Sequence, residues 1–339
     1  MRWLGARRPI LLLVGLTFLA CQAPRAAPPP QSASGPPGVV SFEGRTLNIA
    51  TGGTGGVYIL YGGGLADILT KKMKVAASAQ STAGSVANMQ LIRDGKADLA
   101  FTLADTAFDA FVGRGPFKSE EEVDACTIAA LYWNYTHVVA KDGAGVSSVP
   151  DLRGKRVSVG AAASGTEIIA DRLLEAYDLD PANDIQRERL GVADSANALR
   201  DGKIDAFFWS GGLPTSQILD LRTSTKIQIL DHADVIPKMV EKYGSFYFPT
   251  RIATDAYETE RDAQVAGVAN LLVVPASMDA GLVKAILTTI FESQADLAKI
   301  HAEAKNLSLG SAVQSSALDF HPGAIEFYQS KGVWNPLKK

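Results

Sequence analysis

Two rhythms of apolar and polar positions alternate along this chain. Around residues 45–51, 74–79 and 97–103, apolar residues crowd into six or seven positions, the length of a buried strand. Behind the first run, Tyr61, Leu65, Ile68 and Leu69 fall at i, i+4, i+7 and i+8, the stripe of a helix that buries one face. Behind the second, Val86, Met89 and Ile92 keep helical spacing, with Ser85 as a natural N-cap and Asn88 in the first turn. The third run leads to Asp105 and Thr106 and a helix carrying Ala107, Phe108 and Phe111. Strand and helix in alternation predict a parallel sheet covered by helices.

The connections between these elements are polar and small. Thr51, Gly52, Gly53, Thr54, Gly55 and Gly56 let a ligand approach backbone N–H groups at a positive helix start. Gln80, Ser81, Thr82, Ala83, Gly84 and Ser85 make a second such turn, and Asp105 follows the third strand. All three lie at the carboxyl edge of the sheet, where ligands of such sheets gather. Asp105 is the one fixed charge among them, and it either meets a ligand amine or caps its helix.

The second half repeats this plan. The eleven residues 91–101, with Arg93, Asp94, Gly95 and Lys96, are echoed by residues 198–208, with Arg200, Asp201, Gly202 and Lys203, and seven of eleven positions differ little or not at all. Upstream, residues 155–160 predict a strand, residues 161–166 a small-residue turn and residues 168–177 a helix. Two similar α/β lobes are expected, with Ser164, Gly165 and Thr166 on one wall of a cleft opposing residues 51–56 on the other, and hinge closure around a ligand. Residues 136–141 predict a hinge strand. Residues 245–251 are expected to return the chain to the first lobe, and His321 and Pro322 to begin the last helix. Trp209 and Pro214 follow the echo at a strand end, so Trp209 is either core or an indole facing the cleft.

Composition sets the setting. The chain has 339 residues, 47% hydrophobic and 20% charged, enough for two core-forming units. Arg2, Arg7 and Arg8 precede the uncharged residues 10–20, a run too short to span a membrane and shaped like a secretory signal. Cys21 follows Ala20 as in a bacterial lipoprotein processing site, and residues 22–38, dense in Pro, Ala, Ser and Gly, suit a tether. With Cys21 acylated, Cys126 has no partner for a disulfide within the chain. Without residues 1–20 the balance is 33 − 3 = 30 basic against 36 acidic residues, or −6, with no basic run of the kind that tracks nucleic acid. No HExxH or CxxC occurs, and no metal or cofactor is expected.

Five motifs in order, from IATGGTGGVYI through STAGSVANMQLIRDGKADLAF, VPDLRGKRVSVGAAASGTE and ALRDGKIDAFFWSGGLP to HPGA, resemble the TAXI solute receptors of TRAP transporters. The resemblance implies a two-lobe, type II-like periplasmic binding fold and a small organic solute, glutamate or glutamine or a related carboxylate, delivered to membrane permease subunits. Carried over by position, the pocket comprises Gly53, Thr54, Tyr58, Ser81, Thr82, Ser85, Asn88, Asp105, Ser164, Gly165, Thr166, Trp209 and Pro214. The pairing of the two turns, for its part, makes Tyr58 a candidate lid on the ligand. The chain departs from the family at Ala162 and Ala163, where glycine is frequent, and at residues 252–258.

These readings place a signal at 1–20, a tether at 21–40, lobe 1 at 41–138, lobe 2 at 139–250 and the return to lobe 1 at 251–339. They predict a monomeric, extracytoplasmic receptor that meets the membrane only through a lipid at Cys21. A sensory lipoprotein that binds the same solute without transport is the alternative. An enzyme on this scaffold would use Asp105 or His137 as its acid or base.

Overall fold

The computed structural model describes residues 41–118 and 121–335. The signal, the tether and Cys21 lie outside the described residues.

The chain opens with β1 (Thr46–Ala50), α1 (Val57–Met73), β2 (Ala76–Gln80), α2 (Ser85–Arg93), β3 (Leu99–Leu103) and α3 (Ala104–Phe111). The long β4 (Ala125–Lys141) leads to β5 (Arg156–Ser158), α4 (Gly165–Ala176), β6 (Gln186–Glu188), α5 (Val192–Arg200) and β7 (Ala206–Gly211). Next come α6 (Ser216–Ser224), β8 (Ile227–Ile229), α7 (Ile236–Tyr243), β9 (Tyr247–Ile252) and the long β10 (Ala263–Pro275). Four helices close the chain: α8 (Ala280–Glu292), α9 (Gln294–Ile300), α10 (Leu309–Ala312) and α11 (Pro322–Ser330). As the sequence suggests, Pro322 opens α11, and the His321 Nδ1 accepts from the Gly323 N–H at 3.2 Å.

The strands run in the order β2-β1-β3-β10-β4-β7-β5-β6, with β8 beside β4 and β9 beside β10. β1 is parallel to β2 and β3, and β5 is parallel to β6 and β7, so each lobe has the expected parallel unit. β4 pairs with β10 over 125–135 and with β7 over 135–140, and so belongs to both lobes. The hinge strand expected at 136–141 is thus the second half of a 17-residue strand. β9 pairs with β10 over 263–268, and only beyond that does β10 reach β3. The return to lobe 1 is therefore made by β10 rather than by residues 245–251, because those residues find their ladder partner in lobe 2. The register of β10 against β4 shifts between Asn270 and Leu271, where the sheet passes from one lobe to the other.

The echoed RDGK segments form the same device twice. Gly95 and Gly202 take φ of 64° and 69°, which ends each helix without the Cβ penalty of the left-handed region. The next aspartate then closes the unit. The Asp98 carboxylate accepts the Asn48 N–H at 2.7 Å, and the Asp205 carboxylate accepts the Arg156 N–H at 2.9 Å.

Cores follow the lobes and also cross between them. Leu47, Tyr61, Phe101, Leu282 and Phe327 pack together in lobe 1, and Val139, Leu199, Phe207, Ile218 and Val265 in lobe 2. A third cluster runs from Met89 and Ala107 in lobe 1 to Ile169 and Leu173 in lobe 2, so the lobes stand in contact. Among the described residues, no helix is long and apolar enough to cross a membrane.

Candidate functional site

Three strand ends and three helix starts meet between the lobes. Gly52, Gly53, Gly56, Val57 and Tyr58 come from the turn into α1, and Ala83, Gly84 and Ser85 from the turn into α2. Leu103 ends β3, and Tyr132 and Asn134 lie on β4. Lobe 2 contributes Gly165 and Thr166 at the start of α4, with Trp209, Ser210 and Gly211 at the end of β7. These residues line a cavity of about 40 Å³. In this form the lobes are closed on each other.

The closure has specific contacts. The Ala87 N–H donates to the Ala163 carbonyl at 3.1 Å, a backbone bond between the lobes. Ala163 takes φ of 62°, so alanine occupies a glycine-type backbone position in order to aim that carbonyl. A Cβ on Gly165 would lie 2.6 Å from Leu103 Cδ1 and 2.7 Å from Ser85 Oγ. The Ser164–Thr166 turn thus meets the turn into α2. Residues 51–56 instead face Trp209 and Gln217, since a Cβ on Gly56 would lie 3.1 Å from the Trp209 ring and one on Gly55 2.1 Å from Gln217. The expected pairing of residues 51–56 with Ser164–Thr166 is thus corrected: both turns border the cavity, and each packs against a different element of the other lobe.

A chain of side chains crosses the floor. The Tyr58 hydroxyl donates to Asn270 Oδ1, Asn270 Nδ2 donates to Asn134 Oδ1 at 2.6 Å, and Asn134 Nδ2 donates to Ser210 Oγ at 3.3 Å. The Ser210 N–H then donates to Thr166 Oγ1 at 3.2 Å. Burial pushes the Tyr58 hydroxyl pKa far up, so it stays protonated. Beside this chain the Tyr132 hydroxyl is buried with no hydrogen-bond partner among the described residues. Trp209 is partly buried, and its Nε1 donates to Thr215 Oγ1 at 2.9 Å, which fixes the indole at the cavity.

The residues expected to bind ligand divide accordingly. Gly53, Tyr58, Ser85, Gly165, Thr166 and Trp209 line the cavity. Asn88 and Thr82 brace it from behind: Asn88 Nδ2 donates to the Thr51 and Phe101 carbonyls at 2.5 and 2.7 Å, and the Thr82 hydroxyl donates to Asn88 Oδ1 at 2.6 Å. The Ser81 hydroxyl donates to the Gly52 carbonyl at 3.1 Å, and Ser164 Oγ caps α4 by accepting the Glu167 N–H at 3.1 Å. Thr54 and Pro214 are exposed and outside the cavity lining.

Asp105 is placed differently from either expectation. Its carboxylate is fully buried and accepts from Arg172 at 3.1 Å, from the Tyr247 hydroxyl at 2.6 Å and from the Thr106 N–H at 2.7 Å. Arg172 also donates to Asp109. Burial pushes the Asp105 carboxyl up, and the Arg172 guanidinium pulls against that shift. α3 belongs to lobe 1, α4 and β9 to lobe 2, so Asp105 joins the lobes and does not line the cavity. A second buried carboxylate does likewise: Glu303, after α9, accepts the Leu213 N–H of lobe 2 at 2.6 Å and the Asn306 side-chain amide at 2.5 Å.

Tyr132, Asn134 and Asn270 escaped the sequence reading. The available signal was an asparagine inside each of two mostly apolar strands, β4 and β10.

The model of the NMT1-like family matches residues 49–332. Among solved structures, one described as a periplasmic transporter matches with a TM-score of 0.54 at 12% identity, over 85% of this chain and 93% of that one. A binding component of an ABC phosphonate transporter from Pseudomonas aeruginosa matches with a TM-score of 0.49 at 12% identity, over 77% and 79% of the two chains. The aliphatic sulphonate binding protein of Escherichia coli matches with a TM-score of 0.45 at 15% identity, over 86% and 94%. The first of these supports the fold alone.

Proposed function

This chain belongs to the NMT1-like family, and on that premise we propose that it is an extracytoplasmic solute-binding receptor. It captures a small carboxylate-bearing solute with a glutamate-like skeleton and delivers it to a TRAP-type secondary transporter. The observation that carries this reading is the cavity itself, closed by two lobes and lined by the helix starts of α1, α2 and α4. Helix starts offer unpaired N–H groups and a positive dipole end to an anion. The five motifs in order support the TRAP partner and the carboxylate, and the segment 1–21 supports an extracytoplasmic, lipid-anchored site of action.

Mass spectrometry of the solute on freshly purified protein tests the ligand class, followed by thermal shift of stripped protein across amino acids and dicarboxylates. One or a few stabilisers are expected, because a ligand that favours the native state raises its apparent stability. A stripped protein that answers to none overturns the ligand reading. Uptake into vesicles carrying the permease tests the partner: transport should run on an ion gradient, and transport that needs ATP overturns the TRAP assignment. Binding without any uptake in cells that carry the permease favours the sensory lipoprotein.

A further inference from the structure

The cavity between the lobes is rich in hydrogen-bond donors and poor in free acceptors. α1 spans 17 residues and α2 spans 9, and no side chain caps the start of either; the Ala163 carbonyl takes one first-turn N–H of α2, that of Ala87, and Val57 and Ser85 at the two starts line the cavity. Four acceptors of the two turns already have partners. The Thr51 carbonyl takes Asn88 Nδ2, the Gly52 carbonyl takes the Ser81 hydroxyl, and the Gly53 carbonyl takes the Gly56 N–H at 3.2 Å. Ser85 Oγ accepts the Leu103 N–H at 3.1 Å. No Asp or Glu is among the described lining residues. The two buried carboxylates at the cleft edge, Asp105 and Glu303, are engaged in holding the lobes together.

One donor is left over. Tyr132 lines the cavity at 4% exposure, its hydroxyl has no partner among the described residues, and Tyr61 stacks on its ring at 6.2 Å and 23°. A buried hydroxyl without a partner costs free energy until something bonds to it, and beside two positive helix starts that partner is best an acceptor.

Resting on the receptor reading above, we propose that the solute is a small carboxylate without an ammonium group, and that Tyr132 donates its hydroxyl proton to one of the solute's oxygens. A carboxylate meets the starts of α1 and α2, where the backbone offers N–H groups and positive partial charge. An ammonium in the same space meets those positive ends with no carboxylate among the described lining residues to answer it, so neutral oxygens compensate its desolvation only in part. The cleft therefore separates diacids from amino acids of the same skeleton.

Calorimetry on the stripped full chain with glutarate and with glutamate tests this, since the two differ by one ammonium group. Glutarate should bind at least about tenfold more tightly, and Tyr132→Phe should lower its affinity about tenfold. The melting temperature of solute-free Tyr132→Phe should not fall, because the hydroxyl has no protein partner to lose. Glutamate binding as tightly as glutarate overturns the proposal, as does undiminished glutarate affinity in Tyr132→Phe. If neither diacid binds, the solute on fresh protein decides: a carboxylate without a primary amine supports the proposal and an amine overturns it. Failure of the receptor reading looks different, with no solute carried and no compound shifting the melting temperature, and it takes this proposal with it.

Discussion

Arg172 and Asp105, 67 positions apart in the chain, meet at 3.1 Å across the boundary between the lobes, Asp105 wholly shielded from water and Arg172 at 8% exposure. Asp109 and the Tyr247 hydroxyl complete the cluster around the same guanidinium. Removing one partner of a buried pair leaves an uncompensated charge, at about 3–5 kcal/mol. Arg172→Met is therefore expected to lower the unfolding free energy of the closed, solute-saturated protein by about that amount, read from urea titration with solute in excess. An unchanged midpoint would show that the cluster opens to water without cost.

Closure depends on the missing side chain at Gly165. A valine there overlaps Leu103 and Ser85 of the other lobe, and overpacking of this kind costs about 1–3 kcal/mol. Gly165→Val should weaken solute binding by about tenfold or more while the solute-free protein melts nearly as before. Small-angle scattering checks the cause: the radius of gyration of the variant should stay at its solute-free value when solute is added. Contraction equal to that of the unaltered protein would remove the lobe contact as the explanation.

Thr166 and Thr54 looked alike in sequence, each in a small-residue turn at a strand end. They separate in space, since Thr166 Oγ1 accepts the buried Ser210 N–H at 3.2 Å and Thr54 is exposed. Thr166→Val leaves that N–H unpaired, at about 1–3 kcal/mol. The loss should appear in stability and in solute affinity, whereas Thr54→Val should change both by less than about 0.5 kcal/mol. Equal effects of the two would contradict the geometry.

Acid should loosen the fold through two histidines. His137 and His232 are fully buried, and burial lowers both to about 4. His137 places Nδ1 2.9 Å from the Tyr135 carbonyl and Nε2 3.0 Å from the Tyr257 hydroxyl, while His232 Nε2 accepts the Ala266 N–H at 3.1 Å. The unfolded chain takes up these protons near the ordinary value of 6.5, and the fold only near 4. Their contribution is thus complete above 6.5 and is lost as pH falls through that window, at about 1.4 kcal/mol per unit for each group. Urea midpoints at neutral and mildly acidic pH measure the slope, and replacing His232 with Gln should flatten it. Stability rising on acidification between those limits would reverse the assignment.

The ends of the strands were readable because turns that admit a ligand require small residues, and residues 51–56, 81–85 and 164–166 display them openly. The duplicated lobe was readable for a similar reason: Gly95 and Gly202 sit where only glycine turns freely, so the RDGK pattern persists in both copies. Asp105 was not readable. Its neighbours in sequence show a helix face, and its partners Arg172 and Tyr247 come from lobe 2 through packing that no local pattern encodes. Asn134 and Asn270 were hidden in the same way, since their meeting depends on the pairing of two strands 136 positions apart.

That pairing bears on how the chain reaches its form during synthesis. β10 lies between β3 and β4, yet it is made after both lobes' parallel units. Until residues 263–275 leave the ribosome, β3 presents an open edge of fully buried type, Leu99–Leu103, to whatever strand is nearby. The last long strand fills that gap, and with it goes the β3 edge as a place to pair with a second copy of the chain, leaving β2 and β6 as the outer strands.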